Sequence, residues 1–431
     1  MRRTRIALGL STALAAAVLM SGCSTGGGAP QSDSKAPVTV WVDYTRAPQA
    51  KAYAKAHPDV HMKVVTIDDT SGVDTTKLAL AEKAGDNIPD VVFLGTPEEI
   101  AAIAANPINY PVALNGLVPQ KVLDAYPDGT ISRCTFGGKV YCLANDIGQT
   151  VFWYDKAKFQ EWGYSVPKTF DDFKNLGIKL AAEHPGYSLG TVNGTYGVDA
   201  FFGSSGCPVQ DSPDPTTVKI DLSSVKCTRV GDVLAPLLAN HTLLNYDPFD
   251  KDYVSQIASG HVIATVGASW EGNFVFESNL KDAAKQWAAA AMPTWAGEST
   301  NWSGAIGGGT WIVSNKSKNT KAAVAFVQDM VTSKAIAAKA VTYPAYPPAT
   351  DAWLKSVSSD DWWAEDPAPV MKAAASKINP ATGYVRFKVQ LLDSFSDTVI
   401  KNGGTDMSQA LKDWGAQAEA LAKSTGYKVE K

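Results

Sequence analysis

Short runs rich in β-branched residues alternate with helical patterns in the first hundred residues, and this alternation limits the fold most strongly. The runs Val38 to Val42, Val60 to Ile67 and Asp90 to Leu94 have the composition of strands. Pro48 suits the first turn of a helix after the first run, and a second helix is predicted near Thr75 to Ala84. Strands that alternate with helices form parallel sheets covered on both faces. The sequence therefore predicts a largely parallel, doubly wound α/β sheet.

Polar side chains follow the first and third predicted strands. Asp43, Tyr44 and Arg46 come directly after the first strand, and Glu98 follows the third. Ligands of open α/β sheets bind beyond the carboxyl ends of the strands, so these four residues are candidates for ligand binding. A simpler interpretation stays open for Arg46, whose side chain would also suit a solvated surface.

The stretch from Tyr141 to Phe170 has the clearest local pattern. Val151 to Tyr154 reads as a short buried strand because it is apolar and aromatic without charge or glycine. Lys156 to Trp162 has helical spacing, and Gly163 suits the left-handed position that ends a helix. Thr169 is the predicted cap of a second helix. On local signals alone this is an ordinary strand, helix, turn and helix of a large α/β protein.

Three runs resemble one family of proteins. They are GGKVYCLANDIGQTVFWYDKAKFQEWGYSVPKTFDDF, SGHVIATVGASW and GAIGGGTWIVSNKSKNTKAAVAFVQDM. In this order they resemble segments of the bacterial extracellular solute-binding proteins of family 1, the substrate-binding lipoproteins of sugar ABC transporters. Two positions depart from the usual pattern, since Ala144 stands where the family usually has Pro and Asp155 where it usually has Asn. The resemblance covers nearly all of the mature chain.

The resemblance implies a two-lobe type II periplasmic-binding-protein fold of the α/β class with three inter-lobe crossings. Lobe one is expected to comprise residues 36–148 plus 303–345, and lobe two residues 149–302 plus 346–431. About 400 mature residues also exceed one usual core, which agrees with two domains. The ligand is expected between the lobes, and closure around it is expected to present a state that a membrane permease recognises.

The resemblance also implies roles for particular residues. Asp146 stands where the family commonly has a ligand-facing acidic residue. Tyr196, with Asn193 beside it, lies in the segment that presents an aromatic residue to the sugar. Trp270 follows a predicted strand, at the place of a sugar-stacking Trp, and Glu271 is its neighbour.

Three further candidates come from local composition. Trp302 ends a predicted linker between lobes and offers an aromatic platform, and Arg386 is a candidate for reaching the cleft from the second lobe. Gly308 belongs to a Gly-rich loop that lacks the Lys and the spacing of a phosphate loop, which favours close backbone approach to a ligand. A pyranose needs a flat ring beneath its apolar face and planar polar groups around its edge, so this set of residues suits a sugar.

The N-terminal residues predict export and a lipid anchor. Three arginines precede an apolar run from Ile6 to Met20, which is shorter than a membrane helix and typical of a signal peptide over residues 1–22. The run ends in Met-Ser-Gly-Cys, which looks like a lipobox with Cys23 as the lipidated residue. Residues 23–35 are then expected to be a flexible tether. The alternative is a plain secretory signal with a chance cysteine.

The four remaining cysteines are expected to form disulfides, because export leads to an oxidising compartment. Local pairing is the economical choice, and a three-residue loop at Gly137–Lys139 would place the first two cysteines opposite each other. A metal site is the rival interpretation, and it is disfavoured because no His lies near these cysteines. The expected pairs are Cys134 with Cys142 and Cys207 with Cys227.

The charge and the aromatic content of the chain limit the kinds of partner that it is expected to bind. Removal of residues 1–22, whose three arginines are their only charged side chains, takes the formal net charge from −4 to −7. An acidic chain without a basic patch argues against nucleic acid. Twelve tryptophans favour a disaccharide or oligosaccharide ligand over a monosaccharide. We expect a monomer without a cofactor or metal, anchored by lipid to the outer face of the bacterial cell membrane, that delivers its ligand to permease subunits with a separate ATPase.

Two other functions stay open at this point. The same fold would also suit another solute, such as a polyamine or a glycerophosphodiester. A secreted glycoside hydrolase also places carboxylates beside aromatic residues, although the sequence contains no recognisable paired-acid motif. No persuasive Ser-His-Asp order is present either, so the chain is expected not to be an enzyme.

Overall fold

The computed structural model describes residues 33–67, 73–96, 100–214, 216–280, 282–380 and 385–431. The predicted signal peptide and Cys23 lie outside these ranges. In chain order the strands are β1 Val38–Val42, β2 Met62–Thr66, β3 Val91–Leu94, β4 Thr135–Phe136, β5 Lys139–Val140, β6 Leu143–Ala144, β7 Thr150–Asp155, β8 Asp211–Asp214, β9 Thr217–Lys219, β10 Ala264–Ala268, β11 Trp287–Ala290, β12 Thr310–Val313 and β13 Lys428–Glu430.

Helices connect most of these strands. In chain order they are α1 Ala47–Ala56, α2 Val73–Ala84, α3 Ile100–Ala104, α4 Gln120–Leu123, α5 Asp128–Ile131, α6 Lys156–Glu161, α7 Phe170–Glu183, α8 Gly194–Gly197, α9 Val225–Ala239, α10 Lys251–Ala258, α11 Thr320–Thr332, α12 Lys334–Ala337, α13 Pro347–Ser358, α14 Ala368–Ala375, α15 Lys388–Phe395 and α16 Lys401–Ser424. A π-helical segment, Val198–Gly203, continues α8. Within the described ranges, no helix has both the length and the hydropathy of a membrane span.

The sheet of the first lobe has the strand order β2-β1-β3-β12-β6. β1 is parallel to both β2 and β3, which confirms the parallel arrangement predicted for the three N-terminal strands. β12 is antiparallel to β3 and to β6. Val38, Val40 and Val42 are fully buried, whereas Thr39 and Trp41 between them are only partly so. This alternation follows from the two-residue period of a strand and packs one face of β1 into the core.

The sheet of the second lobe has β7 at its centre, between β10 and β11. Both pairings are antiparallel. Every residue of β7 is buried, which explains why the run from Val151 to Tyr154 carries no charge. Phe152 and Tyr154 pack with α7 and α9 in one cluster, whereas Val151 and Trp153 belong to the cluster on the other face. The capping box of α7 at Thr169 is present as predicted.

Three segments cross between the lobes and are hydrogen-bonded to one another. The first crossing, residues 145–150, lies in the middle. The second is residues 303–309, and Ile306 donates its backbone N–H to the carbonyl of Gly148 at 2.8 Å. The third is residues 342–346, and Ile147 donates to the carbonyl of Tyr343 at 3.1 Å. The two-lobe α/β fold and its three crossings are therefore confirmed.

Helix α13 contacts a different lobe from the one in which the sequence analysis placed it. It follows the third crossing and was expected in lobe two, but it packs against α11 and α12. The indole of Trp353 in α13 donates to the carbonyl of Ala340 at 3.0 Å and contacts the ring of Tyr343. Helix α14 instead contacts β7 of the second lobe. The boundaries drawn at residues 345 and 346 remain predictions.

Both expected disulfides are present, with Cα atoms 5.1 Å apart for Cys134–Cys142 and 4.8 Å apart for Cys207–Cys227. The hairpin loop within the first disulfide is shorter than the predicted three residues. Phe136 pairs directly with Lys139, so the loop is Gly137–Gly138. Both glycines have positive φ values, of 57° and 72°, as a two-residue hairpin turn with the twist of the strands requires.

A buried ion pair joins two helical segments of the second lobe. Lys388 begins α15, and its Nζ lies 2.8 Å from Oδ1 of Asp199 in the π-helical segment. Both side chains are almost fully buried. A charge is far more stable in water than in a protein interior, so each member of such a pair depends on the other.

Replacement of Lys388 by Ala should lower the free energy of unfolding by about 3–5 kcal/mol, because Asp199 would lose the ammonium group that balances its buried charge. Urea denaturation followed by tryptophan fluorescence measures the change. Lys372→Ala is the matched control, since the pair of Lys372 with Asp351 is exposed, and its removal should cost less than about 1 kcal/mol. Equal losses in the two variants would contradict the structural role given to Lys388.

Candidate ligand-binding site

A cavity of about 230 Å³ lies between the two lobes, beside the crossings. Each lobe contributes to its lining, and so do all three crossings. From lobe one the lining includes Arg46, Gly95 and Thr96, which follow β1 and β3. These positions lie beyond the carboxyl ends of parallel strands, where ligands of open α/β sheets bind.

Four aromatic side chains of the second lobe form one side of this cavity. Trp270 lies between Phe249, whose ring is parallel to the indole within 6° at a centroid distance of 5.7 Å, and Tyr196, whose ring is tilted by 65° at 6.1 Å. Phe274 completes the group. The indole N–H of Trp270 donates to the carbonyl of Ile306 at 3.0 Å, which fixes the ring against the second crossing. We call these four residues the aromatic floor.

The positions of Trp270 and Tyr196 follow from local structure. Trp270 comes two residues after the end of β10, as the sequence predicted. Tyr196 lies in α8, whose first turn is capped by the side chain of Asn193, because its Oδ1 accepts the N–H of Tyr196 at 3.1 Å. Asn193 therefore orients the turn that carries Tyr196 and does not itself line the cavity.

An ion-pair network forms the charged part of the lining. Arg46 Nη1 lies 2.7 Å from Oδ2 of Asp43, and Nη2 lies 3.0 Å from Oδ1 of Asp146. The guanidinium also lies over the ring of Phe93, 4.6 Å from its centroid. Burial alone would lower the pKa of Arg46, but the charges of Asp146 and Asp43 outweigh it and raise the pKa above its ordinary value. Arg46 therefore stays charged and lines the cavity instead of facing solvent.

Asp146 lies where this network meets the crossings. Its Oδ1 also accepts from the side-chain amide of Asn145 at 2.8 Å and from the backbone N–H of Gly309 at 3.3 Å. Arg46 in turn donates to the hydroxyl of Thr342 in the third crossing at 3.4 Å. One carboxylate and one guanidinium thus connect lobe one with each of the three crossings.

The Gly-rich loop of the second crossing brings backbone to the cavity. Gly307 and Gly308 both line it, with φ values of 70° and 107°. A Cβ atom at Gly308 would lie 2.9 Å from the carbonyl oxygen of Asp146, so no larger residue fits without displacement. The guanidinium of Arg133 donates to the carbonyl oxygens of Gly307 at 3.1 Å and Ala305 at 3.0 Å. Arg133 holds this loop, and no sequence pattern pointed to it.

The structure brings five of the predicted ligand-binding residues together in one cavity. They are Arg46, Asp146, Tyr196, Trp270 and Gly308. The sequence analysis missed other lining residues, among them Phe249 and Thr342. Phe249 precedes a helix start and Thr342 begins the third crossing, and neither local pattern distinguishes a ligand contact from an ordinary surface residue.

Other predicted residues lie elsewhere. Asp43 is fully buried behind Arg46, and Tyr44 is 73% exposed. Trp302 is partly buried just before the second crossing and does not line this cavity. Arg386 lines a second cavity between the lobes. Glu98 lies outside the described residues.

Glu271 is buried and does not line the cavity. Its Oε1 accepts the backbone N–H of Ala268 at 2.8 Å, so the carboxyl group turns back toward the end of β10. Burial raises the pKa of Glu271 from 4.5 to about 8, and the hydrogen bond from Ala268 offsets only part of that effect. The carboxyl group is therefore protonated in the folded protein at neutral pH.

The raised pKa of Glu271 predicts a stability that depends on pH. Between about pH 5 and pH 8 the folded state holds a proton that the unfolded state releases, so the free energy of unfolding should fall as pH rises, by at most about 1.4 kcal/mol per pH unit, and level off above pH 8. Glu271→Gln should remove this part of the pH dependence. Thermal melts from pH 5 to pH 9 test it, with Glu161→Gln on the exposed surface as the control. An unchanged pH profile in Glu271→Gln would contradict the assignment.

Comparison with known proteins identifies the family. The family model described as bacterial extracellular solute-binding protein matches residues 39–338. The multiple sugar-binding protein of Streptococcus mutans is 24% identical over 185 residues, which cover 41% of this chain and 42% of that protein. The alpha-glucosides-binding periplasmic protein of Rhizobium meliloti is 33% identical over 103 residues, or 22% of each protein. Both alignments span less than half of the relative's own length.

Solved structures of low sequence identity share the fold. The galacto-N-biose/lacto-N-biose I-binding protein of an ABC transporter from Bifidobacterium longum, in complex with lacto-N-biose, aligns at a TM-score of 0.78 with 20% identity, over 92% of this chain and 100% of its own. An ABC-transporter-associated binding protein of B. animalis subsp. lactis, in complex with β-1,6-galactobiose, aligns at 0.70 with 21% identity over the same shares. Since the family model spans more than half of the sequence and the fold agrees with it, the chain belongs to the bacterial extracellular solute-binding proteins.

Proposed function

We propose that this protein is the substrate-binding component of an ABC importer and that it captures a carbohydrate, of disaccharide or oligosaccharide size, between its lobes. The observation that carries the proposal is the combination of the aromatic floor with the polar groups of Arg46, Asp146 and Thr96 in one inter-lobe cavity. The apolar C–H face of a pyranose packs on aromatic rings, and its hydroxyl groups bond to charged and hydroxyl side chains. The names of the sugar-binding relatives and the disaccharides in the similar structures support the same class of ligand.

The charges in the cavity favour a neutral ligand over the other solutes that the fold could bind. A polyamine needs uncompensated carboxylates, but Asp146 already pairs with Arg46. A phosphodiester needs available basic groups, but Arg46 is shared between two carboxylates. The charged side chains are therefore paired with one another, and they keep hydrogen-bonding capacity for hydroxyl groups.

The cavity also argues against a glycoside hydrolase. Such enzymes flank the scissile bond with two carboxyl groups, about 5–9.5 Å apart, and one of them carries a raised pKa. Asp146 is the one carboxylate among the described residues that line this cavity. Glu271 has the raised pKa, but its carboxyl group turns back to Ala268 and does not line the cavity. We therefore propose that the protein binds its ligand without chemistry.

The proposal also covers the location of the protein and its partners in transport. A lipid on Cys23 would hold the monomer at the outer face of the bacterial cell membrane, with residues 23–35 as the tether. Permease subunits with a separate ATPase would receive the ligand from the closed state of the two lobes. The family description, extracellular solute-binding protein, supports an extracytoplasmic location.

Replacement of Trp270 by Ala should weaken sugar binding at least tenfold, because the variant loses the buried contact between the indole and the sugar. Calorimetric titration of the soluble form, residues 33–431, with di- to tetrasaccharides measures the affinity. Trp162→Ala is the control, since that indole stacks on His184 and does not line the cavity. Sugar binding that survives unchanged in Trp270→Ala would contradict this site. A wild-type protein that binds a polyamine or phosphodiester and no sugar would contradict the carbohydrate.

Mass spectrometry of protein extracted from membranes should find diacylglyceryl-modified Cys23 at the N-terminus. The modification requires the thiol, so Cys23→Ala should abolish it, whereas Ser24→Ala should retain it. Unmodified Cys23 in the wild-type protein would show that the anchor is not a lipid on this residue.

A further inference from the structure

A second cavity, of about 350 Å³, also lies between the lobes. Lobe one contributes α3, the loop with Asn106 and Asn109, and the hairpin residues Phe136 and Tyr141. The opposite side consists of segments of lobe two, and its lining residues there are Ser212, Thr216, Arg386 and Tyr427. The lining is therefore a mixture of amides, hydroxyl groups and aromatic rings with one cation.

Arg386 is the charged member of this lining. Its guanidinium lies over the ring of Tyr427, 4.6 Å from the centroid, and its backbone N–H donates to the Tyr427 hydroxyl at 3.3 Å. Among the residues that the structure describes, Arg386 has neither an ion pair nor a side-chain hydrogen bond, and no carboxylate lines the cavity. This differs from Arg46, which forms ion pairs with two carboxylates. A partly buried guanidinium of this kind has five N–H donors to offer to oxygen atoms of a ligand.

Both disulfides lie at the base of segments that line the second cavity. Cys134–Cys142 encloses the hairpin with Phe136 and Tyr141, and Cys207–Cys227 encloses the excursion with Ser212 and Thr216. The two walls come from loops on opposite lobes, which would otherwise be among the least constrained parts of the chain. The disulfides limit the freedom of each wall and so help to preorganise the lining.

Segments that are neighbours in the chain, or that pack together, line the first and the second cavity. On lobe one, Thr96 lines the first cavity and α3, four residues farther along the chain, lines the second. On lobe two, α15 begins two residues after Arg386 and packs against α8, which carries Tyr196. The ion pair between Lys388 and Asp199 joins α15 to the π-helical segment that continues α8. Neighbouring segments of both lobes therefore line the two cavities.

We propose that the second cavity is a subsite for an outer sugar unit of the ligand and that Arg386 binds oxygen atoms of that unit. The inference rests on the proposed function, and it makes the ligand an oligosaccharide that spans both cavities. Two kinds of sugar unit would offer Arg386 the same pair of oxygen acceptors on a pyranose ring. These are either the hydroxyl groups of a neutral sugar or the carboxylate of a uronic acid, and the guanidinium can bind both.

The test compares sugars of different length in the purified full-length protein. Calorimetric titrations use a disaccharide and its tri- and tetrasaccharide homologues, and a parallel series ends in a uronic acid. Arg386→Ala should lower the affinity for the longer sugars about tenfold while the disaccharide affinity stays unchanged, because a lost hydrogen bond to a charged group has that effect. Arg386→Lys should restore part of the loss. Lys372→Ala, an exposed lysine on α14, is the control.

The outcomes separate the two proposals. A loss confined to the neutral series, or one that is largest in the uronic acid series, supports the subsite and identifies which oxygens Arg386 binds. If affinity depends on sugar length in the same way in the wild type and in Arg386→Ala, the subsite is overturned. The proposed function is then left intact. Binding of no saccharide by the wild-type protein overturns both. Thermal melts of Arg386→Ala without ligand distinguish a local loss of affinity from a loss of the fold.

Discussion

The ion pairs of Arg46 with Asp43 and Asp146 connect the parts of the molecule on which the site depends. Asp43 follows β1, and Asp146 belongs to the first of the three crossings. Asp146 also accepts the N–H of Gly309 in the second crossing, and Arg46 reaches Thr342 in the third. The end of the first-lobe sheet is therefore joined directly to the segments about which the lobes can move. Buried charges of this kind are costly unless each is paired, so the network requires a defined geometry at the crossings.

This arrangement places the first inter-lobe cavity beside the crossings. Gly307 and Gly308 line the cavity with backbone atoms of the second crossing, and the indole of Trp270 donates to Ile306 in the same crossing. A ligand on the aromatic floor would thus contact the crossing segments as well as both lobes. Closure of the lobes would bury more of the ligand. A ligand that binds the closed state more tightly than the open state shifts the equilibrium toward closure by the ratio of the two affinities.

Much of the fold could be predicted because its signals are local. β-branched runs, the cap at Thr169 and the glycines of the hairpin each act within a few residues. The cysteine pairs also lie close in sequence, at separations of 8 and 20 residues. Trp270 could be predicted because a strand end fixes its position.

The features that could not be predicted depend on contacts between residues that are far apart in the sequence. Arg133 donates hydrogen bonds to carbonyl groups more than 170 residues farther along the chain, and no local pattern near Arg133 predicts these bonds. Glu271 follows Trp270 directly, yet its side chain turns back to Ala268, a direction that sequence spacing does not determine. The second cavity joins segments from five parts of the chain, so only their packing shows that Arg386 belongs to it.

A crystal structure of the protein with a bound oligosaccharide tests the central claim most directly. The account predicts a pyranose ring against Trp270, with hydroxyl groups within hydrogen-bond distance of Arg46 or Asp146. A sugar bound outside the inter-lobe cleft, or one in the cleft that leaves Trp270 without contact, would contradict it.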